Sequence, residues 1–275
     1  MCPESGNCGP PRASIYVASK IPLEVNATSS SATTQHLQTR EVLGVPVSVL
    51  GMEATVARMA ALIEKGGTHV VSTVDSFGLV LAQEDEELMA VYRNADIATA
   101  DSSGVVWALG RKGKAVERVS GVDLVDRLCG LSAEHGYRVF LLGSEPGVAE
   151  LAAERLKLMH PGCNIVGTRH GFFPEDDDDV VAQEIAPHRP DILLVAMGIP
   201  RQEKFIAKTH EAIGAKISMG VGGSLDVYSG RANRAPRFVQ RLTLEWMWRL
   251  MQNPRKFHKV ARLPRFMWLV LRGGR

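Results

Sequence analysis

Short apolar runs alternate with longer amphipathic stretches along most of the chain. Each run ends in a turn, and an amphipathic stretch such as PGVAELAAERLKLMH at 146–160 follows. Strands this apolar that alternate with helices predict a parallel sheet buried on both faces. We therefore expect a Rossmann-like α/β domain over residues 41–230, with a mostly parallel sheet and helices on both faces. The predicted strands lie at 68–74, 95–100, 137–143, 164–168, 191–198 and 216–222.

The two ends of the chain lack this pattern. Residues 1–40 are rich in Ser, Thr, Pro and Gly without a hydrophobic period, so a disordered leader is expected there. The leader has no cationic segment followed by an apolar run and does not resemble a secretory signal. Residues 231–275 form a C-terminal appendage. Its run FMWLVL at 266–271 is far shorter than the roughly 20 residues needed to cross a bilayer.

Charge divides the chain in the same place. Residues 231–275 contain 12 Lys or Arg and one acid, Glu245, whereas residues 1–230 contain 20 basic and 29 acidic residues. An anionic partner is therefore expected at the C-terminal end. The four cysteines form no CxxC pair and lack the density of a disulfide scaffold, which favours a reducing cytoplasm.

Polar residues follow the predicted strands, and ligands of such folds gather beyond the carboxyl ends of the strands. Thr73 and Asp75 end one strand, and Asp101 ends the next. For Asp101 two interpretations stand. It is a helix N-cap, or it is a general base, which must be an ionised carboxylate exposed in a cleft and within reach of a hydroxyl.

A third strand end, AMGIPRQEKF, places Arg201, Gln202 and Lys204 in one helical turn, where an anion can bind or where the charges are simply solvated. The glycine-rich turns at 141–147 and 220–226 offer backbone N–H groups to phosphate, although neither matches a nucleotide-binding fingerprint.

No metal or other cofactor is predicted. The acid run EDDDD at 175–179 follows GFFP and precedes VVAQEI, so it indicates the acid-rich first turn of a helix. The eight histidines show no HExxH or comparable pairing.

Six motifs occur in an order that resembles the WecG/TagA/CpsF family of bacterial glycosyltransferases. That family has a TPN-like segment, ADGxGVVWA, ERVxGxDL, GxGxPxQE, GVGGxFD…G…RAP and LEWxxRL. The matching segments here are TVD at 73–75, ADSSGVVWA at 100–108, ERVSGVDL at 117–124, AMGIPRQE at 196–203, GVGGSLDVYSGRANRAP at 220–236 and LEWMWRL at 244–250.

The resemblance implies an inverting transfer of a sugar, often of the N-acetylmannosamine type, from a UDP donor. The implied acceptor is a sugar linked to polyprenyl pyrophosphate at the cytoplasmic face of the plasma membrane, where the enzyme would be peripheral. The family's proposed base falls on Asp101. Its other polar strand-end residues, implied to bind substrate, fall on Thr73, Asp75 and Gln202.

The resemblance also implies that basic residues of the appendage close over the active site. Their matches here are Arg249, Lys256 and Lys259, the last two usually being arginine in the family. The family's asparagine after TP is Asp75 here and the glycine after the key aspartate is Ser102. An amide replaced by a carboxylate loses a donor and gains a charge, so the donor sugar stays open.

The appendage also has the composition of a segment that lies on an anionic membrane. Alternatively, Trp246 and Leu250, four residues apart, pack on the core of the α/β domain. The candidate aromatic anchors are Trp246, Trp248, Trp268, Phe257 and Phe266, and the candidate cations are Arg255, Lys256, Lys259, Arg262, Arg265 and Arg272.

A second hypothesis makes the chain a binding module whose basic end grips nucleic acid. The basic stretch has no recognisable DNA- or RNA-binding motif, and this hypothesis leaves Asp101 unexplained, so no nucleic acid is expected. An NAD-dependent oxidoreductase would need a dinucleotide fingerprint, which is missing. A homo-oligomer is compatible with the sequence.

Overall fold

The computed structural model describes residues 37–113, 115–236, 247–248 and 261–273, and these residues are the subject of the structural account. The strands are β1 (Thr39–Val42), β2 (Val45–Ser48), β3 (His69–Val74), β4 (Ile97–Ala100), β5 (Arg138–Gly143), β6 (Asn164–Arg169), β7 (Ile192–Ala196) and β8 (Ile217–Gly220).

The helices alternate with these strands through most of the chain. They are α1 (Met52–Lys65), α2 (Ser76–Leu81), α3 (Glu86–Asn94), α4 (Ser103–Gly110), α5 (Gly121–His135), α6 (Val148–Met159), α7 (Asp178–Ile185), α8 (Arg201–Ile213), α9 (Ser224–Tyr228) and α10 (Leu263–Gly273). The acid run at 175–179 forms a short 3₁₀ turn, Glu175–Asp177, and opens α7, as predicted.

Six strands form one parallel sheet in the order β4-β3-β8-β7-β5-β6. All six are the predicted strands, so the expected Rossmann-like fold class is confirmed. Every residue of β7 is buried, because helices cover both faces. Alternate residues of β5 belong to different apolar clusters: Leu141 to one with residues of α1, α5, α6 and α9, and Leu142 to one with residues of α7 and α8.

A hairpin that the hydrophobic pattern did not predict precedes the sheet. Strands β1 and β2 pair antiparallel through the turn at Leu43 and Gly44, whose φ angles are 51° and 83°. Two positive φ values are typical of the two-residue turns whose twist matches that of a hairpin. Gly, Asn or Asp is usual at the first position of such a turn, so Leu43 does not indicate one in the sequence. β1 begins at Thr39, inside the range predicted as leader; residues 1–36 lie outside the described residues.

The C-terminal helix α10 is part of a third apolar cluster with β1, β2, α2, α3 and α4. Phe266 is fully buried there. A Cβ added to Gly104, in α4, would lie 3.3 Å from the Phe266 ring and 2.2 Å from Ser76 Oγ, so glycine permits the close approach of three helices. Among the described residues, no helix is long and apolar enough to cross a membrane.

Candidate active site

The carboxyl ends of β3, β4 and β8 bring the predicted strand-end residues together. Val74 and Ala100 are paired residues on β3 and β4, so Asp75 and Asp101 follow at the same edge, and Asp101 N donates to Val74 O at 3.0 Å. Thr73, the residue before Val74, lies at the same end of β3.

Asp101 is not the N-cap of the helix that follows it. Ser102 caps α4, its Oγ accepting from Val105 N at 3.4 Å. The Asp101 carboxylate instead accepts a hydrogen bond from Gly121 N at 2.8 Å, at the start of the 15-residue helix α5. The carboxylate therefore lies at the positive end of the α5 helix dipole. Asp101 is partly exposed, at the sheet edge where ligands of such folds gather.

The start of α5 is held in place by the segment that follows β8. Arg234 Nη2 pairs with Asp123 Oδ1 at 2.5 Å, and Ser120 Oγ donates to the other Asp123 oxygen at 2.5 Å. Tyr228 Oη donates to Val122 O at 2.8 Å. Sequence reasoning did not single out these residues. They lie in the motifs ERVSGVDL and GVGGSLDVYSGRANRAP, so motif membership was the available signal.

Thr73 and Asp75 have clear structural partners. Thr73 is buried, and its hydroxyl donates to Gly220 O at 2.7 Å, which ties β3 to the end of β8. Asp75 is the N-cap of α2, accepting from Gly78 N at 2.7 Å, and stays partly exposed. Asp75 therefore combines a capping role with an exposed charge near Asp101.

Gln202 is only 1% exposed and fixes two loops at once. Its Oε1 accepts from Gly198 N at 3.1 Å and from Gly222 N at 2.9 Å, and its Nε2 donates to Glu203 at 2.8 Å. These bonds connect the turn after β7 with the turn after β8. The side chain acts as a brace between the loops.

A buried tyrosine that looks like a core residue in the sequence lies behind the two aspartates. Tyr92 is fully buried, and its hydroxyl has no hydrogen-bond partner among the described residues. Burial raises the pKa of Tyr92 well above its usual range, and the carboxylates of Glu203, Asp75 and Asp101 raise it further. The Tyr92 hydroxyl thus stays protonated near these three carboxylates.

The two cations that the sequence suggested for the acidic domain are already paired. Arg201 binds the buried Asp178, and Lys204 lies 2.9 Å from Asp85 and 2.8 Å from Glu87. Both cations are therefore neutralised by carboxylates of the domain. Arg249, Lys256 and Lys259 lie outside the described residues.

The glycine-rich turns lie at the same edge of the sheet. Gly143 and Ser144 have positive φ values of 136° and 57°, and Phe172, in the loop after β6, is 65% exposed. Glycine is required at position 171, because a Cβ there would lie 2.9 Å from Gly143 Cα.

Among the described residues, no group of three or more His, Cys, Asp or Glu side chains is placed to hold a metal ion.

The candidate membrane anchors have different environments. Phe266 is buried, so the prediction that it is an anchor is wrong, whereas Trp268 is 52% exposed with Arg272 4.9 Å above its ring. Arg265 pairs with Glu84 at 2.5 Å. Trp248 donates through Nε1 to Asn233 O at 3.2 Å. Trp246, Leu250, Phe257 and Arg255 lie outside the described residues.

Comparison with known proteins shows the family of the chain. The profile of the glycosyl transferase WecG/TagA/CpsF family matches residues 40–275. Two similar proteins carry the name N-acetylglucosaminyldiphosphoundecaprenol N-acetyl-beta-D-mannosaminyltransferase. The one from Bacillus spizizenii is 34% identical over 78% of this chain and 82% of its own length. The one from Bacillus subtilis is 32% identical over 74% and 79%. This chain therefore belongs to the WecG/TagA/CpsF family of glycosyl transferases.

Proposed function

We propose that this glycosyltransferase moves a sugar from a UDP-sugar to a sugar linked to polyprenyl diphosphate, with inversion at the anomeric carbon. The names of the two Bacillus relatives support a lipid-diphosphate acceptor. The observation that carries the proposal is the partly exposed Asp101 carboxylate, which the Gly121 amide holds at the start of α5. The product would be a precursor of a bacterial cell-surface polymer.

In the proposed reaction Asp101 accepts the proton of the acceptor hydroxyl. The acceptor oxygen then forms a bond to the anomeric carbon of the donor while the bond from that carbon to the UDP oxygen breaks. UDP leaves with the electron pair. A carboxylate aligned in this way contributes about 10²- to 10⁴-fold to such a step.

The departing UDP requires cations or amides, since negative charge accumulates on its diphosphate. Arg201 and Lys204 are paired with acids, which supports the proposal that the appendage provides the cations. We assign that role to Arg249, Lys256 and Lys259. Arginine is the stronger candidate, because its guanidinium binds phosphate through two parallel hydrogen bonds.

The remaining predicted residues have two kinds of role in this proposal. Thr73 and Gln202 hold the strand ends and loops in register, so they act by positioning. Asp75 presents its charge to the donor sugar. Because an asparagine there would also donate hydrogen bonds, Asp75 is the residue that we expect to separate this enzyme's donor preference from that of its relatives.

We place the enzyme on the cytoplasmic face of the plasma membrane, with residues 1–40 as a leader, 41–230 as the catalytic domain and 231–275 as the appendage. Met267, Trp268 and Leu271 expose apolar surface on α10, next to the Arg272 cation. An amphipathic helix with cations of this kind suits an anionic lipid surface.

A UDP-release assay tests the proposal. The protein is incubated in a chelator with a panel of UDP-sugars, with and without a lipid-diphosphate-linked N-acetylglucosamine. We expect release from one class of donor, dependent on the acceptor, and a product of inverted configuration. Failure of every donor, together with salt-sensitive binding to polynucleotide, would contradict this proposal and support a nucleic-acid-binding module.

A further inference from the structure

A groove of about 360 Å³ separates the N-terminal hairpin from the C-terminal helix. The hairpin turn forms one wall, the end of α4 forms the floor, and the last two turns of α10 form the other wall. Its volume falls within the range of small-molecule binding sites, roughly 300–1,000 Å³. The apolar lining residues are Val42, Leu43, Ala108, Leu269 and Val270.

The hairpin wall is fixed by side chains from three other segments. Gln83 Nε2 donates to Leu43 O at 3.0 Å, and Arg93 Nε donates to Gly44 O at 2.9 Å. Lys112 Nζ donates to Glu41 O at 3.1 Å. The turn carbonyls are therefore satisfied, and these hydrogen bonds fix the hairpin wall without a ligand. Preorganised walls reduce the entropy lost on binding.

Cations border this apolar lining. Lys112 and Arg272 lie at its rim, and Glu41 is the acidic residue among the lining side chains, so the charge at the rim is net positive. Arg272 is held over the exposed Trp268 ring at 4.9 Å. A groove with apolar and polar lining and a net positive rim complements an apolar chain that carries an anionic head group.

The groove lies at the far end of the helix that begins beside the proposed base. Asp101 immediately precedes the N-cap of α4, and Ala108 lies in its last turn. At a rise of about 1.5 Å per residue, the groove floor is about 10 Å along the helix from Asp101. Helix α10 follows the same path, since Phe266 packs at Gly104 and Leu269 lines the groove.

We propose that this groove binds the first isoprene units of the acceptor, with Lys112 and Arg272 near its diphosphate. This inference rests on the proposed function and adds a site for the lipid portion of the substrate. The exposed apolar face of α10, formed by Met267, Trp268 and Leu271, adjoins the groove. The chain of the lipid would pass from the bilayer along α10 into the groove.

Binding of farnesyl diphosphate, measured by calorimetry in detergent-free buffer, tests the groove without any transfer reaction. Leu269→Gln places an amide in the groove and is expected to weaken binding at least tenfold. Leu158→Gln, at an 80% exposed leucine of α6 that does not line the groove, serves as the matched control and should bind like the wild type. Equal binding by Leu269→Gln and the wild type would overturn the proposal, as would equal affinity of the wild type for inorganic diphosphate.

A kinetic comparison separates this proposal from the proposed function. Two soluble acceptors carry N-acetylglucosamine diphosphate, one on a farnesyl chain and one on a methyl group. We expect Leu269→Gln to raise KM about tenfold for the farnesyl acceptor alone. Equal kinetics of the variant and the wild type with both acceptors would overturn the groove. The wild type could transfer no sugar to either acceptor and still bind farnesyl diphosphate in a way that depends on Leu269. That result would overturn the proposed function alone.

Discussion

Ser102, rather than Asp101, caps α4, so the Asp101 carboxylate does not serve the first turn of its own helix. A capping carboxylate uses its oxygen on the first turn of its own helix. Here Ser102 Oγ makes that bond, and Asp101 bonds to Gly121 N at the start of a different helix. From sequence the cap and the base were indistinguishable, because both place an acid between a strand and a helix.

Gln202 provides the first test at the scale of one residue. We expect Gln202→Leu to lower the free energy of unfolding by about 2–4 kcal/mol, because the partly buried N–H groups of Gly198 and Gly222 lose their acceptor and the buried Glu203 carboxylate loses a donor. Gln183 is an exposed amide on α7, and Gln183→Leu should change the same quantity by less than about 0.5 kcal/mol. Urea unfolding measures both variants. A Gln202→Leu protein as stable as the Gln183→Leu protein would contradict the bracing role.

At the scale of elements, the segment after β8 controls the start of α5. Arg234 and Tyr228 both bind the first turn of this helix, whose first amide holds Asp101. The position of the proposed base therefore depends on a segment more than 100 residues later in the chain.

Arg234→Gln should lower kcat about tenfold with little change in KM, because a displaced α5 misaligns Asp101. Arg234→Lys keeps the charge beside Asp123 and should restore much of the rate. Loss of folded protein, with an unchanged kcat for the protein that remains folded, would assign Arg234 a purely structural role.

Helix α10 should depend on Phe266 for its position. Phe266→Ala is expected to cost about 3–5 kcal/mol in the free energy of unfolding, because the side chain is fully buried among α2 and α4. Met267 is 44% exposed on the same helix, and Met267→Ala should cost less than about 1 kcal/mol. Thermal or urea unfolding distinguishes the two; equal costs would mean that α10 does not dock through Phe266.

The sheet was predictable from sequence, since all six parallel strands appear as apolar runs with clear turn residues. The hairpin was missed because Leu43 occupies a turn position with positive φ, where Gly or Asn is the usual residue. The burial of Phe266 was missed because an aromatic residue among cations suits a membrane and a core equally well. The braces formed by Gln202 and Arg234 depend on loops distant in sequence, which periodicity does not report.

For the whole molecule, charge separation predicts how the protein meets a membrane. The basic residues after position 230 and the acidic domain before it should orient the appendage toward anionic lipid. We expect binding to anionic vesicles to weaken at least tenfold as salt rises from about 0.1 M to about 1 M, since the screening length falls from about 10 Å to about 3 Å. Sedimentation with neutral vesicles is the control. Binding to anionic vesicles that does not change with salt would contradict an electrostatic contribution.

The most direct test of the account is the rate of sugar transfer by Asp101→Asn. The amide keeps the shape of the side chain but has no carboxylate to take the proton of the acceptor. We predict a loss of at least about a hundredfold in kcat, with a melting curve close to that of the wild type. Asp176→Asn, at an exposed acid before α7, should keep the full rate. A folded Asp101→Asn protein that transfers sugar as fast as Asp176→Asn would remove Asp101 from the role of base.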